Sequence, residues 1–111
     1  MHELAIADAV VSMVLEEAVD RKVARVGMRI GHLRQVVPSA LRFSFELVAR
    51  DTRAEGAALD IDPVPVAIWC DGCATESAPT AFPLTCAQCG TTSVSVMRGD
   101  EMSVEWIETE E

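Results

Sequence analysis

Four cysteines carry the most specific chemistry in this sequence. They form two pairs, CDGC (Cys70 and Cys73) and CAQCG (Cys86 and Cys89), with twelve residues between the pairs. Two thiolates separated by two residues can hold one ion in a tight knuckle. Two such knuckles form a tetrahedral four-sulfur site, which suits Zn(II) and leaves no open position for a substrate. The spacing therefore predicts a closed, structural zinc site.

Glycines accompany both cysteine pairs. We expect Gly72 and Gly90 to tolerate the backbone angles that the knuckles need.

Two other uses of the cysteines remain open. A thioredoxin-type redox protein needs one pair, placed at a helix start after a strand, whereas both pairs here are flanked by predicted loops. Two disulfides are the other alternative. Zinc binding would contribute about 10–16 kcal/mol to ordering a segment that has few large apolar side chains.

The opening residues Met1, His2 and Glu3 form a second candidate metal site. The amine of Met1 and the amide and imidazole of His2 can close adjacent chelate rings around one ion. Glu3 can add its amide nitrogen or its carboxylate. Such nitrogen-rich coordination favours Ni(II) or Cu(II) over zinc. The simpler interpretation is that His2 is an exposed residue of a frayed terminus, and that His32 is a loop residue rather than a ligand.

Composition excludes several classes of function. The 111-residue chain carries 18 acidic and 9 basic residues, for a formal charge of −9. This balance argues against a nucleic-acid binder, which would show a basic surface. The sequence contains neither a run of apolar residues long enough to span a membrane nor a targeting segment. We therefore expect a cytoplasmic protein whose thiols stay reduced. A positioned nucleophile and a glycine-rich phosphate loop are also missing, so we expect no enzyme activity.

Two amphipathic helices are predicted ahead of the cysteines. Residues 3–21 have polar side chains every four residues and a wide apolar face opposite them, formed by Leu4, Ile6, Ala9, Val10, Met13 and Val14. Residues 38–50 repeat the helical spacing, and Pro38 takes a first-turn position. Between the helices, the alternation in residues 23–31 predicts a strand with one buried face, formed by Val26, Met28 and Ile30.

Extended segments flank the cysteines. Residues 58–69 must bend or lie at a sheet edge, because Pro63 and Pro65 cannot donate hydrogen bonds to a neighbouring strand. Residues 93–98 and 102–108 predict two strands around the turn RGDE, the second of which has one face formed by Met102, Val104 and Trp106.

The order of elements predicts an α+β fold. Two helices pack on a small mixed sheet, and a zinc-ribbon-like four-cysteine subdomain is inserted into it. We expect residues 1–66 plus 99–111 to form the main domain and residues 67–98 to form the insert. We also predict weak coupling between the two metal sites through the connections at 64–70 and 94–102.

Taken together, the motifs resemble the hydrogenase maturation factors HypA and HybF, which are nickel metallochaperones. The matching pieces are the opening MHELAIA, the strand end RIGHL, the helix VVPSALRFSFE, the two cysteine pairs and GDEMSVEWIE. They occur in the family's order and cover nearly the whole chain. One departure is Ser39, since many relatives carry an acidic residue after the proline.

The resemblance implies a function for both candidate sites. His2 would be the principal nickel ligand, with Met1 and Glu3 beside it, and the four cysteines would hold zinc. The implied partners are a HypB-type nickel GTPase and the precursor of a [NiFe]-hydrogenase large subunit; some members also serve urease. We expect a monomer or a weak homodimer. The competing hypothesis is a zinc-ribbon protein-interaction module without nickel transfer.

Overall fold

The structure, a computed structural model, describes residues 2–110. Helix α1 spans Glu3–Ala18 and α2 spans Pro38–Ala49. The strands are β1 (Val23–Gly31), β2 (Ala58–Val64), β3 (Ala67–Cys70), β4 (Thr75–Ser77), β5 (Ser95–Arg98) and β6 (Met102–Thr109). A single 3-10 turn, His32–Arg34, follows β1. None of the helices in this described range is long and apolar enough to cross a bilayer.

The strands form two three-stranded sheets. The first has the order β2-β1-β6, with β1 parallel to β2 and antiparallel to β6. The chain crosses from β1 to β2 through α2, as a parallel pair requires. The second sheet, β4-β3-β5, is antiparallel and adjoins the cysteines. The predicted fold class, two helices with a small mixed sheet and a four-cysteine insert, is confirmed.

Helix α1 buries a narrower face than the sequence predicts. Its buried residues are Ala7, Val10, Val11, Val14 and Ala18, and they pack against α2 and the first sheet. The prediction was wrong for Leu4, Ala9 and Met13, which are exposed. These side chains lie beside the strip that α2 and the sheet cover, so part of the apolar face stays open. The helix also ends before the predicted residue 21, because Val19 adopts a positive φ of 59°.

Strand β6 contains a bulge that reverses the predicted direction of Trp106. Val104 pairs with Met28 and Trp106 pairs with Gly27, so Glu105 is the extra residue. Val104 therefore packs on the core side, while Trp106 crosses Gly27 on the opposite face. A Cβ at Gly27 would lie 2.0 Å from the Trp106 ring. The alternation assumed for this strand missed the bulge and was wrong for Trp106.

The two sheets meet where three backbone segments lie close together: the end of β1, the connection from β2 to β3 and the connection from β5 to β6. Strand β2 ends at Val64 and β3 begins at Ala67 in the other sheet, so the predicted bend at the prolines is confirmed. A Cβ at Gly31 would lie 2.0 Å from the Gly99 carbonyl oxygen, and a Cβ at Gly99 would lie 2.6 Å from the Val66 Cα. Only glycines fit where β1 meets the two connections.

The variant Gly31→Ala is expected to lower the free energy of unfolding by about 3 kcal/mol, because its methyl group would meet backbone atoms that cannot rotate away. Urea denaturation of the zinc-loaded protein, followed by far-ultraviolet circular dichroism, measures this loss. Gly56→Ala is the control: its φ of 79° is strained for alanine, but the space beside it is open. Equal losses in the two variants would contradict the steric explanation.

Candidate metal centre

The four cysteine side chains meet at one point beside the second sheet. Cys70 ends β3, Cys73 lies in the turn before β4, and the other two precede β5. All four sulfur atoms lie within 4.8 Å of one another, and the Sγ atoms of Cys70 and Cys89 are 3.8 Å apart. Tetrahedral ligands at a Zn–S distance of about 2.3 Å would be separated by about 3.8 Å. The donor set and its spacing therefore fit a zinc ion.

Backbone hydrogen bonds shape the second knuckle around Cys86. The Gln88 amide donates to the Cys86 Sγ at 3.4 Å, and the Gly90 amide donates to the Cys86 carbonyl at 2.9 Å. The Cys86 amide in turn donates to the Thr91 carbonyl at 3.0 Å. These bonds fold the loop around the sulfur, and Cys86 is only 2% exposed.

The residue after each cysteine pair adopts a left-handed backbone conformation. Gly90 has a φ of 74° and Ala74 a φ of 51°, so the two knuckles turn in the same way. The expectation for Gly90 is met. The expectation for Gly72 was wrong, because its φ is not positive and a Cβ there would only touch the Cys70 Sγ at 3.9 Å. The strained position in the first knuckle is instead occupied by Ala74.

Ala74→Gly should raise the free energy of unfolding by about 0.5–1 kcal/mol, because it relieves the steric cost of alanine at a positive φ. Thermal denaturation of the zinc-loaded protein measures the gain. Ala87→Gly, in the other knuckle at a residue without a positive φ, is the control and should lower stability. Destabilisation by Ala74→Gly would show that the methyl group contributes packing that outweighs the strain.

The surroundings of the sulfur atoms shift the pKa values of two of the thiols in opposite directions. Amide hydrogen bonds from Cys89 and Gln88 lower the pKa of the Cys86 thiol to about 7. A hydrogen bond to Cys89, together with burial, raises the pKa of the Cys73 thiol to about 12. Without a metal, one thiolate forms readily while a neighbouring thiol resists ionisation. A dication would reverse that resistance, because it neutralises the accumulated charge.

The predicted N-terminal site is described only in part. Met1 lies outside the described residues. His2 is exposed and precedes α1, where its carbonyl accepts the Ile6 amide at 3.1 Å. The Glu3 carboxylate accepts the Val37 amide at 3.0 Å, a bond that lowers the pKa of Glu3. Among residues 2–110, the cysteines form the one cluster of three or more potential metal-binding side chains of the His, Cys, Asp and Glu types.

The segment after β1 contacts both the start of α1 and the connection between β5 and β6. No pattern in the sequence indicated these contacts. Arg34 Nε donates to the Asp100 carbonyl at 2.7 Å, and the Leu33 amide donates to the Gly99 carbonyl at 2.8 Å. Val37, three residues after Arg34, contacts Glu3. The segment 33–37 therefore joins the start of α1 to the connection between β5 and β6.

Comparison with known proteins places these features in a family. The family model described as "Hydrogenase/urease nickel incorporation, metallochaperone, hypA" matches residues 1–109. The hydrogenase maturation factor HypA of Azotobacter vinelandii is 39% identical over 113 residues, covering 99% of this chain and 100% of the relative. HybF of Klebsiella pneumoniae is 34% identical, with the same coverage of both chains.

Solved structures agree with this assignment. The solution structure of the Ni metallochaperone HypA from Helicobacter pylori matches with a TM-score of 0.66 and 25% identity, over 98% of this chain and 97% of that one. A second HypA solution structure gives a TM-score of 0.70 at 25% identity, over 99% and 97%. The resemblance found in the sequence is confirmed, and the chain belongs to the HypA/HybF family of hydrogenase maturation factors.

Proposed function

We propose that this protein is a nickel metallochaperone that binds Ni(II) at its N-terminus and delivers it during maturation of a [NiFe]-hydrogenase. Its four cysteines hold a structural Zn(II). The observation that carries the proposal is the match to the nickel-incorporation family over residues 1–109. The converging sulfur atoms support the zinc assignment.

The nickel ligands in this proposal are His2, Met1 and Glu3. An exposed imidazole at the start of a helix suits a carrier, since a partner can approach and exchange ligands. The first amides of a helix have no acceptor within the helix, so the His2 and Glu3 amides can face a metal ion. One oxygen of the Glu3 carboxylate already accepts the Val37 amide. This bond favours a role for Glu3 in which the carboxylate positions the segment and the amide faces nickel.

The zinc ion has a different role from the nickel ion. Cys70, Cys73, Cys86 and Cys89 fill its coordination sphere, so it holds the shape of the insert and offers no position to a substrate. We assign residues 67–98 to this insert, and residues 1–66 plus 99–111 to the nickel-binding domain. The expected partners are a HypB-type GTPase and the hydrogenase large-subunit precursor, in the cytoplasm, where thiols stay reduced.

A complementation experiment tests the proposal. Bacteria that lack their own HypA-type protein would be supplied with this protein or its variants, and hydrogenase activity and nickel in the large subunit would be measured. The unchanged protein and His32→Ala should restore both, whereas His2→Ala should restore less than about one tenth. His32 is the matched control because it is the other histidine of the chain and is also exposed.

Two outcomes would contradict the proposal. Equal restoration of hydrogenase activity by His2→Ala would show that nickel delivery does not depend on the proposed N-terminal site. No restoration by the unchanged, zinc-loaded protein would instead favour a zinc-ribbon interaction module without nickel transfer.

A further inference from the structure

A groove runs along the open side of α1, between this helix and β6; it is mainly apolar near His2 and of mixed polarity near Glu17. Its part near His2 has a volume of about 520 Å³, and a second part of about 500 Å³ continues toward Glu17. Met13 and Val104 line both parts. The groove therefore follows nearly the whole length of α1.

The groove exposes apolar side chains that the fold does not use. Ala5, Ala9 and Met13 project from one side of α1 and are exposed, and Met13 keeps 44% of its surface accessible. On the sheet side, Met102 lines the same groove and is partly exposed, while Met28 forms its floor and is buried in the core. Methionine side chains adapt to varied apolar surfaces and are common in grooves that bind helices. The apolar face of α1 is wider than the area that α2 and the sheet cover.

Charges at the groove restrict what can bind there. Glu17 and Glu105 line its far part, while Arg34 and His2 lie at the near end. The chain as a whole has a formal charge of −9. A second copy would bring another acidic surface against these carboxylates, whereas a partner with lysine or arginine at that end would complement them.

The bulge in β6 argues against an added strand. An exposed edge strand can pair with an extended peptide, but the extra residue Glu105 interrupts the ladder. A helix needs no such ladder. From His2 to Glu17 the groove offers about 22 Å, which corresponds to about four helical turns.

We propose that this groove, which we call the α1–β6 groove, binds an amphipathic helix of a partner protein. The helix has an apolar stripe, and it carries basic side chains at the end that meets Glu17 and Glu105. Because His2 lines the same groove, the bound partner lies against the proposed nickel ligand; this last consequence rests on the proposed function, while the docking itself does not.

Fluorescence anisotropy with a labelled synthetic peptide tests the docking. The probe is a 16-residue helical peptide with a leucine stripe and lysines at one end, added to the zinc-loaded full chain without nickel. Met13→Glu and Ala9→Glu should each weaken binding at least tenfold. Leu47→Glu is the matched control, because Leu47 is 38% exposed on α2 outside the groove, and it should change affinity less than twofold.

A charge exchange makes the test specific. Glu17→Lys should weaken binding of the lysine peptide and strengthen binding of a peptide with glutamates in place of the lysines. No binding of either peptide, or equal loss in Leu47→Glu, would overturn the proposal. A dimer that forms at micromolar concentration in sedimentation and is disrupted by Met13→Glu would overturn it in favour of a second copy. Nickel titrations of the same samples keep a failure of docking distinct from a failure of the nickel site.

Discussion

Replacing His2 with alanine is expected to weaken nickel binding at least about 100-fold while zinc stays at one ion per chain. Loss of a group that merely supports a metal ligand typically costs about 10–100-fold in affinity, and His2 is proposed to be a ligand itself. The cysteine cluster does not include His2, so zinc should be unaffected. Calorimetric titration with Ni(II), on zinc-loaded protein with an untagged N-terminus, measures the affinity.

His32→Ala is again the control, and its nickel affinity should match that of the unchanged protein. The binding should also weaken as the pH falls, because imidazole and amide nitrogen bind nickel only when deprotonated. Full nickel affinity in the His2→Ala variant would show that nickel binds at other residues of the protein. Loss of zinc together with nickel would contradict the separation of the two sites.

Replacing Cys86 with serine is expected to remove zinc and unfold the insert while the first sheet and both helices persist. Cys86 is buried, and two amides stabilise its thiolate. A structural zinc contributes about 10–16 kcal/mol to the order of a small domain, so its loss exceeds the stability that the short strands β3, β4 and β5 can supply. The core of the main sheet is built from α1, α2, β1 and β2 and does not depend on the cysteines.

The two tryptophans separate these outcomes. Trp69 lies on β3 beside the cysteines, and Trp106 lies on β6 of the first sheet. In the double variant Cys86→Ser, Trp106→Phe, the emission maximum of Trp69 should shift to longer wavelength. In the double variant Cys86→Ser, Trp69→Phe, the emission maximum of Trp106 should not change. Ser95→Ala, at an exposed position on the neighbouring strand β5, is the control and should retain zinc. A red shift of both tryptophans would mean that the whole chain unfolds without zinc.

Chelator challenge gives a related expectation for pH. The pKa of Cys86 is about 7, below the ordinary thiol value, so this sulfur remains a thiolate down to neutral pH. Below pH 7 protons compete with zinc for the Cys86 sulfur as well as for the Cys73 sulfur, whose thiol has the higher pKa, and the rate of zinc loss to a chelator should rise steeply. A rate independent of pH between 5 and 8 would contradict ligation by thiolates.

Local patterns in the sequence predicted the elements but not their contacts. The periodicity of residues 23–31 and the position of Pro38 fix β1 and the start of α2, because both depend on neighbouring residues. The spacing of the cysteines predicted their convergence, since each pair forms its own knuckle. The resemblance to HypA and HybF supplied the functional assignment of His2.

Features that depend on distant residues escaped prediction. The bulge at Glu105 is set by pairing with β1, so alternation within β6 could not place Trp106. The bond between Glu3 and the Val37 amide joins residues 34 positions apart. Hydrophobic periodicity showed that α1 has an apolar face, but only the packing of α2 and the sheet decides that Met13 remains exposed.

X-ray absorption spectroscopy of the protein loaded with both metals distinguishes the two proposed sites, because each metal reports its own ligands. We expect four sulfur neighbours at about 2.3 Å around zinc, and nitrogen and oxygen neighbours that include imidazole around nickel. Sulfur in the nickel shell, or fewer than four sulfurs around zinc, would contradict a carrier with a separate N-terminal nickel site and a closed cysteine site.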